Sequence, residues 1–391
     1  MSTWLEDRLQ DAFAAAAEQV GPETLRPVAD PVRAKPVRPT RRFAPAIPLA
    51  AALVVVLIGA FAAVVAGTRG TAPAGPVTQA LSGPSSLLVA GGDGVTVLDA
   101  RTGKVRSRIG LPPAPEGSVR EPGGYLLAGA GDGETFYIAQ SVKSRSTQVS
   151  TTRFHRARID ARGRLTGLTR DVIPQVTGTT ASSLAVTGDG TRLAYSLDGK
   201  VCGRGETVRF CPGARLTVVD LPTGTTRAWT TNTAGQIESL SWAADRRTLG
   251  LVVKAGARVL DTAAPGTTLA KSRVVAPGTE ATTATISPDG IGILIGHTRS
   301  PDGGSQRYTI DEYSIADGRR IRTLVSRDHD GDVMARWNLM RYDATGRHLL
   351  FAGNFHPLSR LDDGRVTPLI PQASPDPKLL GSAPPEVQAA W

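Results

Sequence analysis

Residues 284–297 read ATISPDGIGILIGH: an apolar strand, a Ser-Pro-Asp-Gly turn and a second apolar strand. Asp-Gly supplies the positive-φ positions that a tight hairpin requires, and the apolar flanks place both strands against a core. The same unit recurs with variation as AGAGDGETFYIAQ (128–140), LAVTGDGTRLAYSL (184–197), LSWAADRRTLGLVV (240–253) and RYDATGRHLLFAG (341–353). With the turn taken at Asp132, Asp189, Asp245, Asp289 and Thr345, the spacings are 57, 56, 44 and 56 residues. A near-constant period of this size signals a repeat architecture.

A second motif follows each copy: a strand ending in Asp, a Gly-containing turn, then a basic strand. It appears six times, as TVLDARTGKV, ARIDARGRL, TVVDLPTGTT, RVLDTAAPGTT, EYSIADGRRI and SRLDDGRV. The first motif has only five copies, because the first unit begins directly at Leu87 with LLVAGGDGVTVLDA. The last residues, PEVQAAW, resemble the opening strand of a unit, such as that around Trp242. The expectation is therefore an all-β, six-bladed propeller over residues 85–391, a seven-bladed ring being the lesser alternative. Val387–Trp391 should pair with Leu87–Ala90 and supply the missing strand, since an unclosed ring leaves an open sheet edge.

The turn at 287–290 and its variants resemble the propeller repeats of the TolB-like and WD-like classes. Two features depart from that pattern: no copy carries both the Gly-His and the Trp-Asp pair of typical WD repeats, and Asp245 is followed by Arg246 instead of glycine. The layout of a short N-terminal segment, one apolar span and a propeller is similar to that of a group of actinobacterial single-span membrane proteins. That resemblance implies an exported propeller and leaves the function open, because propellers host enzymes and scaffolds alike.

Upstream of the repeats, no charged residue occurs from Phe43 to Thr68, and 49–66 reads LAAALVVVLIGAFAAVVA. Extended back to Ile47, this stretch matches a helix of about 30 Å, the thickness of a bilayer core. Arg33, Lys35, Arg38, Arg41 and Arg42 precede it, and Arg69 alone follows closely. The positive-inside rule then keeps residues 1–45 in the cytoplasm, makes 46–67 an uncleaved signal-anchor and exports the remainder through a linker, 68–84. A cleaved signal peptide is the rival reading, disfavoured by the length of both the apolar run and the segment before it. Near the N-terminus, Thr3-x-x-Glu6 has capping-box spacing, and Trp4, Leu5, Leu9, Phe13 and Val20 recur on one helical face ahead of Gly21-Pro22. That face calls for a cytoplasmic protein partner.

The chain has 391 residues and a formal net charge of +10. The excess is dispersed without a Lys/Arg run or aromatic interleaving, which argues against nucleic acid binding. Cys202 and Cys211, flanking a Gly-rich loop, read as a disulfide in an exported domain. Asp328, Asp330 and Asp332 have the i, i+2, i+4 spacing of half a calcium loop, but Val333 and Leu339 stand where glycine and glutamate are needed. The segment reads as a solvated acidic loop and only a weak metal candidate. The five histidines have no metal-ligand spacing, no nucleophile motif is present, and no cofactor is expected. Trp229, Trp242 and Trp337 read as core or blade-face residues. The leading reading is a non-enzymatic, membrane-anchored binding or scaffold module for an extracytoplasmic protein or envelope ligand. A transmembrane sensor of anti-sigma type and an exported propeller hydrolase or lyase are the alternatives.

Overall fold

The computed structural model describes residues 83–91, 94–198, 201–202, 209–210, 213–231, 236–277, 281–299, 305–330, 336–370 and 388–391. The chain divides into two compact units, Met1–Pro73 and Ala74–Trp391, and all described residues belong to the second. The expected N-terminal helix with Trp4, Leu5, Leu9, Phe13 and Val20, and the expected span at 46–67, lie outside the described residues. Among the described residues no helix is long and apolar enough to cross a membrane.

Six antiparallel sheets, each built on a path of four strands, make up the described part of the second unit; in blade 2 a short fifth strand, Val176–Thr177, pairs with Ser150–Ile159 off this path. Blade 2 runs through Ser118–Gly129, Thr135–Ser144, Ser150–Ile159 and Leu165–Thr169. Blade 3 comprises Ala181–Val186, Arg192–Leu197, Arg215–Asp220 and Thr226–Thr230; blade 4, Ile237–Trp242, Thr248–Val253, Gly256–Asp261 and Arg273–Pro277. Blade 5 comprises Ala281–Ile286, Gly292–Arg299, Ser305–Ser314 and Arg320–Asp330; blade 6, Trp337–Tyr342, His348–Gly353, His356–Asp362 and Arg365–Pro368. The first strand of each of these blades adjoins the first strands of its neighbours, so these strands form the inner ring around the axis.

Blade 1 is assembled from both ends of the domain. Ser86–Gly91, Gly94–Asp99 and Val105–Ile109 form three strands, and Gln388–Ala390 adds the inner one. The register is Leu88 with Ala390, Val89 with Ala389 and Ala90 with Gln388. The expected closure is therefore present, with Val387 outside the described residues.

Six apolar clusters fill the six interfaces between adjoining blades. The second strand of each blade lies between two such clusters, which explains runs such as LGLVV and ILIG that are apolar on both faces. Thr135–Ile138 and Gly292–Thr298 are buried at every position. Outer strands are the reverse: most of Arg320–Asp330 is exposed. Trp229 and Trp337 are fully buried. The Trp337 indole donates to the Thr309 carbonyl at 2.9 Å and fills a place beside Gly296, where any Cβ would meet it at 2.9 Å.

Two local expectations are revised or refined. Asp328 and Asp330 lie in the outer strand of blade 5 and not in an acidic loop, because Ser305–Asp330 continues as a long hairpin, and Asp328 accepts from Arg307 Nε at 2.7 Å. Asp332 is outside the described residues. Between the second and third strands of blade 3, Val201–Cys202 pairs with Arg209–Phe210 as a separate ribbon. Cys202 is described in its backbone alone, and Cys211 lies outside the described residues.

Candidate functional site

The repeats converge on one end of the ring. In an up-and-down meander the turn joining strands one and two and the turn joining strands three and four lie at the same end, so both sequence motifs decorate one face. The first-motif turns share a geometry. Gly133, Gly190, Gly290 and Gly346 have φ of +67°, +70°, +73° and +71°, and each N–H bonds the carbonyl three residues earlier. The Asp side chain caps the turn: Asp132 accepts from the Glu134 and Thr135 N–H groups at 2.9 and 2.8 Å, and Asp245 from those of Arg247 and Thr248 at 2.8 Å each. This is Asx-turn chemistry.

Two copies deviate instructively. In blade 6, Asp343 and Thr345 exchange roles: elsewhere Thr187 or Ser287 donates to Asp189 or Asp289, and here Thr345 Oγ1 donates back to Asp343 at 2.7 Å. In blade 4, Arg246 occupies the glycine position with φ +58°. Its guanidinium reaches Asp189 of blade 3 at 2.6 Å and ties two turns together.

Second-motif aspartates are matched with arginines on the same face. Arg106 contacts Asp99 at 2.5 Å, Arg164 contacts Asp160 at 2.8 Å, and Arg247 contacts Asp261 at 2.5 Å. Burial alone would raise the Asp99 carboxyl, but Arg106 and the Thr102 donors hold it down at about 2. The Arg247 guanidinium holds Asp261 at about 2. Asp362 accepts from His348 Nδ1 at 2.5 Å and from Arg360 Nε at 2.6 Å.

Inside this rim the axis opens into a cavity of about 720 Å³. Its wall comes from the last residues of the inner strands and the turns beyond them. Small residues such as Ala128-Gly129-Ala130-Gly131, Ala185 and Ala243-Ala244 leave the space open, while the partly exposed rings of Trp242 and Tyr342 supply apolar surface and the buried Trp391 adds an edge. Trp391 is held by its indole N–H donating to the Arg341 carbonyl at 3.2 Å. Burial pushes the Tyr342 phenol up to about 12, with Glu312 adding to it.

At the floor stands Arg341, from the inner strand of blade 6. Its guanidinium crosses the axis to the Leu184 carbonyl of blade 3 at 2.9 Å and to the Leu240 carbonyl of blade 4. Among the described residues its Nε is buried without a partner, as is the indole N–H of Trp242. Burial lowers the guanidinium to about 10, which leaves it charged at neutral pH. Beyond Arg341 the channel narrows to a space of about 20 Å³ among Ser182, Ser183, Ser239, Thr283 and Asn338.

The sequence reading selected none of the floor. Trp242 packs against the apolar cluster between blades 3 and 4, as expected of a core or blade-face residue, and also borders the cavity, while Arg341 and Tyr342 carry no sequence signal that marks them. Asp328 lies on an outer strand. Among the described residues no three His, Cys, Asp or Glu side chains group to hold a metal ion.

No family model and no curated protein matches the chain. Among solved structures, the Cps50 (Swd1) β-propeller domain of Myceliophteria thermophila aligns at 12% identity and TM-score 0.38, over 68% of this chain and 71% of that one. A chain of the mitotic checkpoint complex aligns at 12% and 0.37, over 66% and 72%. A variant of the Synechocystis apocarotenoid oxygenase aligns at 14% and 0.41, over 71% and 66%. The six-bladed architecture rests on the sheet topology given above and not on these alignments.

Proposed function

We propose that this chain is a membrane-anchored, non-enzymatic recognition module whose propeller engages an extracytoplasmic protein or envelope ligand through its turn-bearing face. The observation that carries the reading is the rim itself: every blade contributes fixed turns and paired Arg and Asp side chains around one axial opening, which suits recognition of a broad surface. The anchor is the apolar stretch 46–67, with the basic residues before it setting the orientation. Outside the membrane the Cys202–Cys211 pair would be oxidised.

Site-specific photo-crosslinking on intact cells tests the reading. A benzophenone side chain replacing Ile291, 66% exposed in a first-motif turn, should give a discrete adduct. The same group at Val149, in the blade 2 hairpin at the opposite end, should give none. Equal labelling from both positions, or none from Ile291, would remove the turn-bearing face as the recognition surface. Protease added to spheroplasts should digest the propeller and spare residues 1–45, and thiol labelling of unreduced, denatured protein should find no free cysteine. The helical face of Trp4, Leu5, Leu9, Phe13 and Val20 would extend the module to a cytoplasmic partner and to a sensor role.

A further inference from the structure

We propose that the axial cavity binds a small organic anion, a carboxylate or similar oxyanion carried on an apolar or aromatic body, with Arg341 as its charge partner. This goes beyond macromolecular recognition at the rim and does not depend on it.

Four features of the cavity converge on that chemistry. Its volume of about 720 Å³ lies in the range of small-molecule sites, roughly 300–1,000 Å³. Its sides carry the partly exposed rings of Trp242 and Tyr342, with the edges of the buried Trp391, Val186 and Ile286 between them, which favours a flat or aliphatic body. Its floor carries a guanidinium whose hydrogen bonds go to two neutral carbonyls, and no carboxylate is paired with it among the described residues. A half-buried cation without a counter-charge is costly unless something anionic compensates it.

The fourth feature is that the acids near the mouth are already committed. Asp132 accepts from the Thr135 hydroxyl at 2.7 Å and from two backbone N–H groups of its own turn. Asp343, 4% exposed, accepts from the Thr345 hydroxyl and from the Arg347 and His348 N–H groups. Neither reaches the guanidinium. Among the described residues no acid fills the position opposite Arg341, which is thus left for a negative charge, and Arg347 at the lip adds to the positive field. The throat beyond Arg341 has room for about one water, so a ligand entering from the mouth stops at the guanidinium.

The test uses the full chain with 4-(trifluoromethyl)benzoate and its neutral counterpart 4-(trifluoromethyl)benzamide, followed by fluorine NMR titration. The benzoate should bind about tenfold or more tightly than the benzamide, the effect of one charge-assisted hydrogen bond. Arg341→Met should bring benzoate affinity down to that of the amide and leave amide affinity unchanged. No benzoate binding, equal affinity for acid and amide, or a preference that survives in Arg341→Met would each overturn the proposal. Because Arg341 links three blades, Ala344→Trp provides a second route if Arg341→Met does not fold. Ala344 is exposed at the lip of the mouth, and the larger side chain should weaken both compounds at least several-fold with the fold intact. Undiminished binding in Ala344→Trp would place the site elsewhere and end the proposal.

Discussion

Blades 1 and 4 have the same four-stranded form and opposite origins. Blade 4 is drawn from one run of chain, Ile237–Pro277, and its hairpins form between near neighbours in sequence. Blade 1 takes three strands from 86–109 and its inner strand from 388–390, so its closure must await almost the whole domain. The seam is also short: three paired positions, against six between the middle strands of blade 4. What the seam lacks in hydrogen bonds it makes up in burial, since Ala389, Ala390 and Trp391 are 0%, 1% and 6% exposed. Local pairing therefore shapes blade 4, and long-range apolar burial seals the ring.

The sharpest way to break the comparison is to delete residues 386–391. The deletion bares Leu87 and Leu88, both 0% exposed, and opens a sheet edge along Leu88–Ala90. Removing the Trp391 side chain alone is worth about 3–5 kcal/mol, and loss of the whole seam approaches the roughly 5–15 kcal/mol that holds a domain together. Replacing the exposed hairpin tip 145–148 of blade 2 with a two-residue Asn-Gly turn should cost about 1 kcal/mol or less. Urea unfolding of both variants measures the contrast. Comparable losses in the two would show that the terminal strand does not seal the ring.

Gly129 tests the same seam from blade 2. A Cβ there would lie 1.6 Å from the Trp391 carbonyl oxygen, a backbone atom that can yield only if the closing strand moves. At Gly133, four residues on, a Cβ meets nothing within 4 Å, and φ of +67° is the whole penalty. Gly129→Ala should therefore cost about 3 kcal/mol and Gly133→Ala about 1 kcal/mol. A reversed order in thermal melts would mean that the terminus does not pack against blade 2.

These two regions were not equally legible in the sequence. The five turns were, because positive φ selects glycine in four of them and Asx capping keeps an aspartate in each, displaced only to Asp343 in blade 6. The missing strand was too, because an unpaired count of motifs leaves one strand to find, and QAAW has the small-then-aromatic form of SWAA. The cavity floor was not. Arg341 sits in RYDATG as an ordinary strand residue, and its partners are the carbonyls of Leu240 and Leu184, 101 and 157 residues away. A backbone acceptor can belong to any residue type, so such a contact leaves no mark in the sequence. The acidic run at 328–332 misled for a related reason: carboxylate spacing is the same in a calcium loop and in a solvent-facing strand.

Acid should loosen the continuous blades before the seam, because blade 1 contains no histidine. His297 in blade 5 is buried beside Asp311, with Nε2 3.7 Å from its carboxylate. Burial lowers the imidazole from 6.5 to about 4, against the opposing pull of Asp311. Between these values the unfolded chain binds the extra proton and the folded chain does not, so stability rises with pH across the window and falls on acidification. The slope from this group is about 1.4 kcal/mol per pH unit from 6.5 down to about 4, and the contribution is flat above 6.5. His297→Asn should flatten the melting temperature against pH over that range. Hydrogen exchange should show protection lost first in blade 5, and loss beginning at Leu88–Ala90 would contradict the assignment.

The smallest effect comes from the turn of blade 4 that lacks glycine. Arg246 holds φ +58°, which costs a residue with a Cβ about 1 kcal/mol, and in return its guanidinium meets Asp189 of blade 3. The pair is partly exposed, with side-chain accessibilities of 55% and 32%, so its worth is at most about 0.2–1 kcal/mol and is screened by salt. Arg246→Gly relieves the backbone and loses the bridge, and the net change should be near zero. Arg246→Ala loses the bridge and keeps the strained backbone, so it should be the less stable of the two by about 0.5–1 kcal/mol. At about 1 M NaCl the bridge is screened in the unaltered chain, so Arg246→Gly should become the more stable form while the gap between the two variants persists. A gap that vanishes in salt would mean that charge and not backbone conformation separates the two variants, and that this turn departs from glycine without strain.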